Sequence, residues 1–311
     1  LLGAYATFNN LQWENYPLIA VRGDDVNAGG LGDQQDYAET DKFNYNKDYW
    51  MYNSVWINLY NDIISDHTAM EEIAKFKEAG ASSTLANQYT SEIKVLRAFM
   101  LFQLSRVWGD VFIPTSSDRS ELLVKELSTK EEVMQHISDQ MDEAIPNLLD
   151  MHPNQRPDIP GGVTKYTALA IKALANLEVK NYQAVADATG EIINSGKFTL
   201  DSDFYELFKI PGKLDNENIL EFQYSDFGTG SGTSTSYLFA FFGPQGWTPA
   251  VEGAGSGWGF YEPSKKFIEF MLDRGETVRL ETSVLFTDRG IAELEADGYN
   301  NLPSFVSNTT R

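Results

Sequence analysis

"KVLRAFMLFQLSRVWGDVFIP", residues 94–114, is helical in its spacing but has no polar face. On a wheel at about 100° per residue, Val95, Leu96, Phe99, Met100, Phe102, Leu104, Val107 and Trp108 fall around almost the whole circle. A helix that is apolar on every side is buried. It needs helices in front of it and behind it, as in a stacked superhelix. Arg97 and Arg106 point to roughly opposite sides. A guanidinium buried at Arg97 demands a carboxylate or carbonyl partner, because an unpaired buried charge is very costly. Arg97 therefore reads as a pin between helices. Gly109 ends the helix, and Asp110 to Pro114 reads as extended chain.

The flanking segments supply the partners. "DYWMYNSVWINLYNDIISDHTAMEEIAKF", from about residue 48 to 76, predicts a long helix with Trp50, Val55, Ile57, Tyr60, Ile64, Ile73 and Phe76 as buried contacts. "AGASST" breaks it. A second helix from about 85 to 108 then returns antiparallel as a hairpin. Ser128 or Thr129 followed by Glu131 or Glu132 is a capping-box signal for another helix. Residues 164–200 read as two helices turning tightly at Lys180–Asn181. Ala168, Ala173, Ala184 and Ala188 allow close approach, and Tyr182 fills the turn, a spacing like a tetratricopeptide hairpin. Residues 1–16 suggest a short helix with Leu2, Tyr5, Ala6, Phe8 and Leu11 inward. Residues 22–45 lack a helical period and read as a long loop, of the kind that often carries function. Past Thr199 the pattern becomes Gly-rich. Strands are expected at 219–224 and in "TVRLETSVLF" (277–286), and a helix in "PSKKFIEFMLDRG", with Pro263 in the first turn and Gly275 as C-cap.

Composition narrows the function. The 311 residues are 42% hydrophobic, enough for a sizeable core. The formal net charge of −21 speaks against nucleic acid, which requires a basic footprint, and suits a secreted or surface protein kept soluble by its charge. There is no cysteine, so disulfides, thiolate metal sites and cysteine nucleophiles are excluded. The apolar runs fall short of a membrane span. The chain opens on "LLGAYATFNN" without Met, as a processed chain would.

Catalytic signatures do not surface. His67, His136 and His152 have no metal-ligand spacing and read as helix-surface or loop residues. "GTGSGTS" (228–234) misses the dinucleotide fingerprint. Asp24, Asp25, Asn27 and Asp33 could offer oxygens to calcium, but not in an EF-hand spacing, so no cofactor is expected beyond that possibility. The loops do offer aromatics beside amides and glycines. A Trp or Tyr ring covers the C–H face of a sugar while Asn, Asp or Arg binds its hydroxyl edge. Trp50, Tyr52 and Asn53 stand where the Asp-rich loop enters the first long helix, with Trp50 either a core anchor or a sugar platform. Trp247 in "GPQGWTP" and Trp258 and Tyr261 in "GSGWGFYEP" are further ligand candidates. Trp13, Trp56 and Trp108 sit in helical patterns as core.

"IKVLRAFMLFQLSRVWGDVFIPT" resembles the LRA-x-x-x-F-x-L-x-x-x-x-G-D-V signature of SusD/RagB-like proteins, with Phe112 and Ile113 intervening before the proline. Other pieces agree in order. A "GDD" loop precedes a helix of pattern W-x6-I-x3-N, met by Trp50, Ile57 and Asn61, although Ser54 replaces the usual aromatic. "ALAIKALANLEVKNYQAVADATGEIINSGKFTL", "NENILEFQY" and "GWGFYEPSKKFIEFMLDRGETVRLETSVLF" resemble later family segments, the last with Arg279 and Thr282 in place. The resemblance implies a mainly all-α fold. Tetratricopeptide-like hairpins would form a superhelical scaffold, mainly 46–200. A loop-rich ligand-binding region with short strands would span 22–45 and 200–311. All of this would be one domain, 1–311, lacking the family's C-terminal segment, either because the chain is truncated or because these residues omit the rest.

The resemblance also implies a non-enzymatic lipoprotein on the extracellular face of the outer membrane. It would be anchored by a lipidated cysteine upstream of Leu1, bind glycan, and serve a SusC-like TonB-dependent transporter. By position in the pattern, Asp25, Trp50 and Asn53 lead the ligand-binding candidates, followed by Trp247, Trp258 and Tyr261. Two alternatives share the helices, aromatics and acids. One is a glycoside hydrolase, which needs two carboxylates roughly 5–10 Å apart across the scissile bond. The other is an intracellular tetratricopeptide adaptor.

Overall fold

The all-round apolar stretch forms the second half of a long helix whose ends obey local rules. Ser82 caps it by accepting from the Leu85 N–H, and Gly109 closes it at φ +77° with its N–H on Ser105 O. The computed structural model describes residues 1–7, 18, 21–29, 34–224, 238–246 and 256–307. In chain order the elements are α1 (Leu2–Thr7), β1 (Val26–Ala28), α2 (Gln35–Asp41), α3 (Trp50–Glu78), α4 (Ser83–Trp108) and α5 (Glu121–Val124). There follow α6 (Lys130–Ala144), α7 (Lys165–Glu178), α8 (Tyr182–Asn194), α9 (Leu238–Phe242), β2 (Tyr261–Pro263), α10 (Lys265–Asp273), α11 (Val278–Ser283) and α12 (Asp288–Ala296). The fold is mainly α, with one two-stranded antiparallel ribbon among the described residues.

The chain divides into two compact units. The first comprises Leu1–Asn15, Trp50–Asp201 and Leu214–Thr235. In it α3 packs on α4, α4 on α6, α6 on α7 and α7 on α8, so each helix meets the next as in a solenoid. The α3–α4 hairpin is antiparallel, since Trp56 meets Trp108 at one end and Lys77 meets Asn87 at the other. Ile93, Val95, Leu96, Ala98, Met100, Leu101 and Leu104 of α4 are all buried. Thr129 and Glu132 make the capping box that starts α6. Ala173 and Ala188 are buried together where α7 meets α8, Ala168 is buried as well, and the turn between the two helices places Lys180 at φ +62°.

Arg97 is 5% exposed and is indeed a pin. Its guanidinium donates to the Gln140 carbonyl on α6 at 2.6 Å and meets the His67 ring on α3 at 3.0 Å. The His67 ring also contacts the Pro114 carbonyl. One cation thus ties three helices and the segment after Gly109. A second pin was not legible. Arg156 and Glu92, both with fully buried side chains, pair at 2.8 Å. Tyr5 of α1 donates to the same Glu92 and accepts from the Val163 N–H.

The second unit comprises Tyr16–Tyr49, Ser202–Lys213 and Ser236–Arg311. The β1–β2 ribbon pairs Val26 with Pro263 and Ala28 with Tyr261. Val21, Phe241 and Tyr261 form its buried centre. Leu280, Val284, Phe286, Leu294 and Val306 make a separate cluster under α10–α12.

Several expectations fail for identifiable reasons. The stretch 278–283 is helical, because Leu280 and Val284, one turn apart, both enter the cluster; strand-like alternation holds only at 284–286. Residues 219–224 form no ladder. They are held by single bonds, the Glu221 N–H to Gly161 O and the Thr167 hydroxyl to Ile219 O. Helix α2 lies inside the supposed 22–45 loop. Pro263 belongs to β2, and Ser264 caps α10 instead. Leu2, Ile57, Phe76 and Tyr182 are exposed rather than buried, and α1 turns Ala4 inward. His67 and His152 are buried, not superficial, each facing a backbone carbonyl. Phe8, Leu11, Trp13 and 228–234 lie outside the described residues.

Candidate functional site

In the first unit the candidates gather at the head of α3. Trp50 is the first residue of that helix and keeps 50% of its surface exposed. Asn53, also exposed, follows three residues later. That spacing puts ring and amide on one helix face. Below them the helix is anchored by an aromatic cluster. The Trp56 ring lies 4.9 Å from Tyr60 and 5.2 Å, edge to face, from Trp108. Phe112 completes it at 6.1 Å from Tyr60. The Tyr60 hydroxyl accepts from the Phe112 N–H and donates to the Phe112 carbonyl, so the chain after the G-D-V turn is clamped to α3. Burial pushes the Tyr60 hydroxyl above the ordinary phenol range, which keeps it a donor. Trp56 and Trp108 are thus structural, and Trp50 is the tryptophan of this helix that opens to solvent.

In the second unit Asp25 and Tyr261 meet the same ribbon. Asp25 immediately precedes β1, its carboxylate is exposed, and its carbonyl accepts from the Ser264 N–H. Asp24 beside it is ion-paired with Lys266. Tyr261 is 2% exposed and its ring packs among Tyr37, Phe241 and Phe242. Burial pushes its hydroxyl above the usual phenol range, and that buried oxygen has no hydrogen-bond partner among the described residues. Trp258 is half-buried, 5.3 Å from both Phe241 and Phe260. Trp247 and Asp33 lie outside the described residues. Among the described residues no group of three or more His, Asp or Glu side chains is placed to hold a metal ion.

Residues 23–174 match the family model described as "Starch-binding associating with outer membrane", the SusD-like type. A SusD-like protein, P38, of Formosa agariphila is 28% identical over 147 residues, which is 47% of this chain and 27% of that protein. A laminarin binding SusD-like protein superposes with a TM-score of 0.77 at 21% identity, covering 96% of this chain and 66% of its own. Surface glycan-binding protein A from Bacteroides thetaiotaomicron, in complex with laminarihexaose, gives a TM-score of 0.77 at 18% identity, covering 100% of this chain and 66% of that one. At those identities the structural likeness carries the fold. This chain spans under two thirds of the length of each of these relatives.

Proposed function

We propose that this chain, SusD-like in sequence over residues 23–174 and SusD-like in fold, binds glycan at the cell surface without cleaving it. Trp50 carries the reading. A tryptophan half exposed at the head of its helix, with an exposed amide on the same face, sets a flat apolar ring beside a hydrogen-bonding group, the pairing that a sugar's face and edge require. The ring would cover a pyranose face and Asn53 would bind its hydroxyl edge. Asp25, Trp247, Trp258 and Tyr261 remain further candidates, Tyr261 through its ring's place in the aromatic cluster rather than through an open face.

The family resemblance extends the proposal. The protein would sit on the extracellular face of the outer membrane, tethered by a lipid anchor upstream of residue 1, and pass glycan to a SusC-like TonB-dependent transporter. No cofactor is invoked, and calcium at Asp24, Asp25 and Asn27 remains the one metal to test. A laminarin binding relative and a relative in complex with laminarihexaose make a glucan such as laminarin the first to try.

The test is native-gel retardation in laminarin and other polysaccharides, with a reducing-sugar assay run beside it. Retardation by at least one polysaccharide without sugar release is the expected result. Trp50→Ala is expected to weaken affinity by about tenfold or more while the far-UV spectrum is retained. Unchanged retardation of the variant would remove Trp50 from the site, and sugar release would favour a hydrolase.

A further inference from the structure

We propose that Phe43 and Tyr45 form a two-ring platform for a neutral polysaccharide, a contact that rests on the glycan-binding reading above but uses different residues. Helix α2 ends in a backbone cap, with the Phe43 N–H on Thr40 O at 3.0 Å and the Asn44 N–H on Glu39 O at 2.8 Å. The residue that closes such a cap takes the left-handed conformation, and glycine or asparagine usually stands there. Here it is Phe43, at φ +57°. A bulky side chain is strained in that conformation. Burial offers no compensation, since Phe43 is 61% exposed. Neither backbone preference nor core packing accounts for a benzyl group at this position, so its reason lies in what the exposed ring meets.

Its neighbour supports this. Tyr45 is 51% exposed, and the two rings stand edge to face, 5.9 Å between centroids and 70° between planes. Every residue from 42 to 48 is exposed. Asn44 and Asn46 alternate with the rings along the chain and are exposed, each engaging one amide atom locally, Asn44 on the Glu39 carboxylate and Asn46 on the Asp48 N–H. The platform is braced from below. Glu39 accepts from Gln35 and from Asn44 and pairs with Lys42, and the Asp41 carboxylate accepts from the Ala28 N–H of β1. Such bracing fixes the backbone that carries the rings before ligand arrives, which lowers the entropy cost of binding.

The surrounding charge selects the ligand class. Along residues 34–49 the sequence carries Asp36, Glu39, Asp41 and Asp48 against Lys42 and Lys47, in a chain of net charge −21. A uronate or sulfated chain would be repelled, and a neutral hexose polymer would not.

The experiment is Phe43→Gly in the full chain, with melting temperature and laminarin affinity by calorimetry read together. Glycine relieves the left-handed strain, so the melting temperature is expected to hold or rise. The ring is lost, so affinity is expected to fall by about tenfold or more. Tyr45→Ala, which leaves the cap backbone alone, is expected to lose a similar factor, and Phe43→Tyr to keep binding. A purely structural residue would move stability and leave affinity alone, and that result overturns the platform. The outcomes separate the two proposals. If the wild type binds and Trp50→Ala weakens it while Phe43→Gly and Tyr45→Ala do not, the platform falls and glycan binding stands. If the wild type binds no glycan, both fall. Binding of alginate as tight as of laminarin overturns the neutral class.

Discussion

The two units solve the same folding problem with different materials. In the first, helices of 29 and 26 residues lie against one another, and periodic aliphatic side chains fill the interface. Polar groups enter that interior mostly in satisfied sets, as with Arg156, Glu92 and Tyr5. In the second, the strands are three residues long and α10 and α12 reach only nine. Such short elements bury little each, and aromatic rings make up the area: Tyr37, Phe241, Phe260 and Tyr261 around the ribbon. The difference teaches where variation is tolerable. A scaffold built on helix periodicity resists change everywhere along its core. A unit built on a few ring contacts can alter its loops while those contacts survive, which suits a surface that must recognise ligand.

The comparison breaks most readily at Arg156. Arg156→Ala leaves the fully buried Glu92 carboxylate without its counter-charge and strips a partner from the network that holds α1 through Tyr5. Removing one member of a buried pair costs about 3–5 kcal/mol. Urea unfolding followed by far-UV signal is expected to shift by that amount. A loss below about 1 kcal/mol would mean that the first unit does not depend on this pair and that its helices alone suffice.

How much of this was legible follows the same division. The stretch 94–114 disclosed its own burial, its end at Gly109 and the pinning role of Arg97, because apolar period and glycine act locally. The α6 cap at Thr129 and the α7–α8 turn were legible for the same reason. Arg156 and Glu92 were not, since 64 residues separate them and neither stands in an apolar run. In the second unit 277–286 misled, because a β-branched run looks like a strand until a distant cluster claims Leu280 and Val284. Of the candidate site, Trp50 and Asn53 share a helix face as their spacing required. Phe43 and Tyr45 lie within 22–45, whose sequence has no helical period and reads as loop. Their signal was the aromatic–amide alternation "FNYN", and its force came only with the φ of Phe43, which no spacing discloses.

A smaller effect sharpens the account of the first unit, whose interior is not satisfied throughout. Asp66 on α3 is 1% exposed, and neither carboxylate oxygen has a hydrogen-bond partner among the described residues. Burial pushes it up to about 8, and Asp62 one turn earlier up to about 7. Both lie above the unfolded value of 3.8, so the folded state holds the extra protons and loses stability as pH climbs from about 4 to about 8. His67 works the other way. Burial, then Arg97, lowers it to about 4 from 6.5, so its contribution grows with pH and is complete near 6.5. Between about 6.5 and about 8 only the acids act, and the melting temperature is expected to fall. Asp66→Asn removes the charge. It is expected to flatten that slope and to gain about 1–2 kcal/mol at the alkaline end. A slope unchanged by the substitution would place the titrating group elsewhere.

The smallest expected effect tests the second unit on its own terms. The Tyr261 hydroxyl is buried without a partner among the described residues, while its ring packs on Phe241 and Phe242. Tyr261→Phe keeps the ring and deletes the orphaned oxygen. A buried group with no hydrogen bond costs about 1–3 kcal/mol, so the variant is expected to gain about 1 kcal/mol in urea unfolding, the opposite sign to Arg156→Ala. The ring contacts that hold the ribbon should be untouched, and laminarin affinity with them. If affinity falls instead while stability rises, the hydroxyl is reserved for the ligand. The aromatic cluster would then be part of the recognition surface rather than its support, and the division between a packed interior and a binding periphery would fail inside the second unit itself.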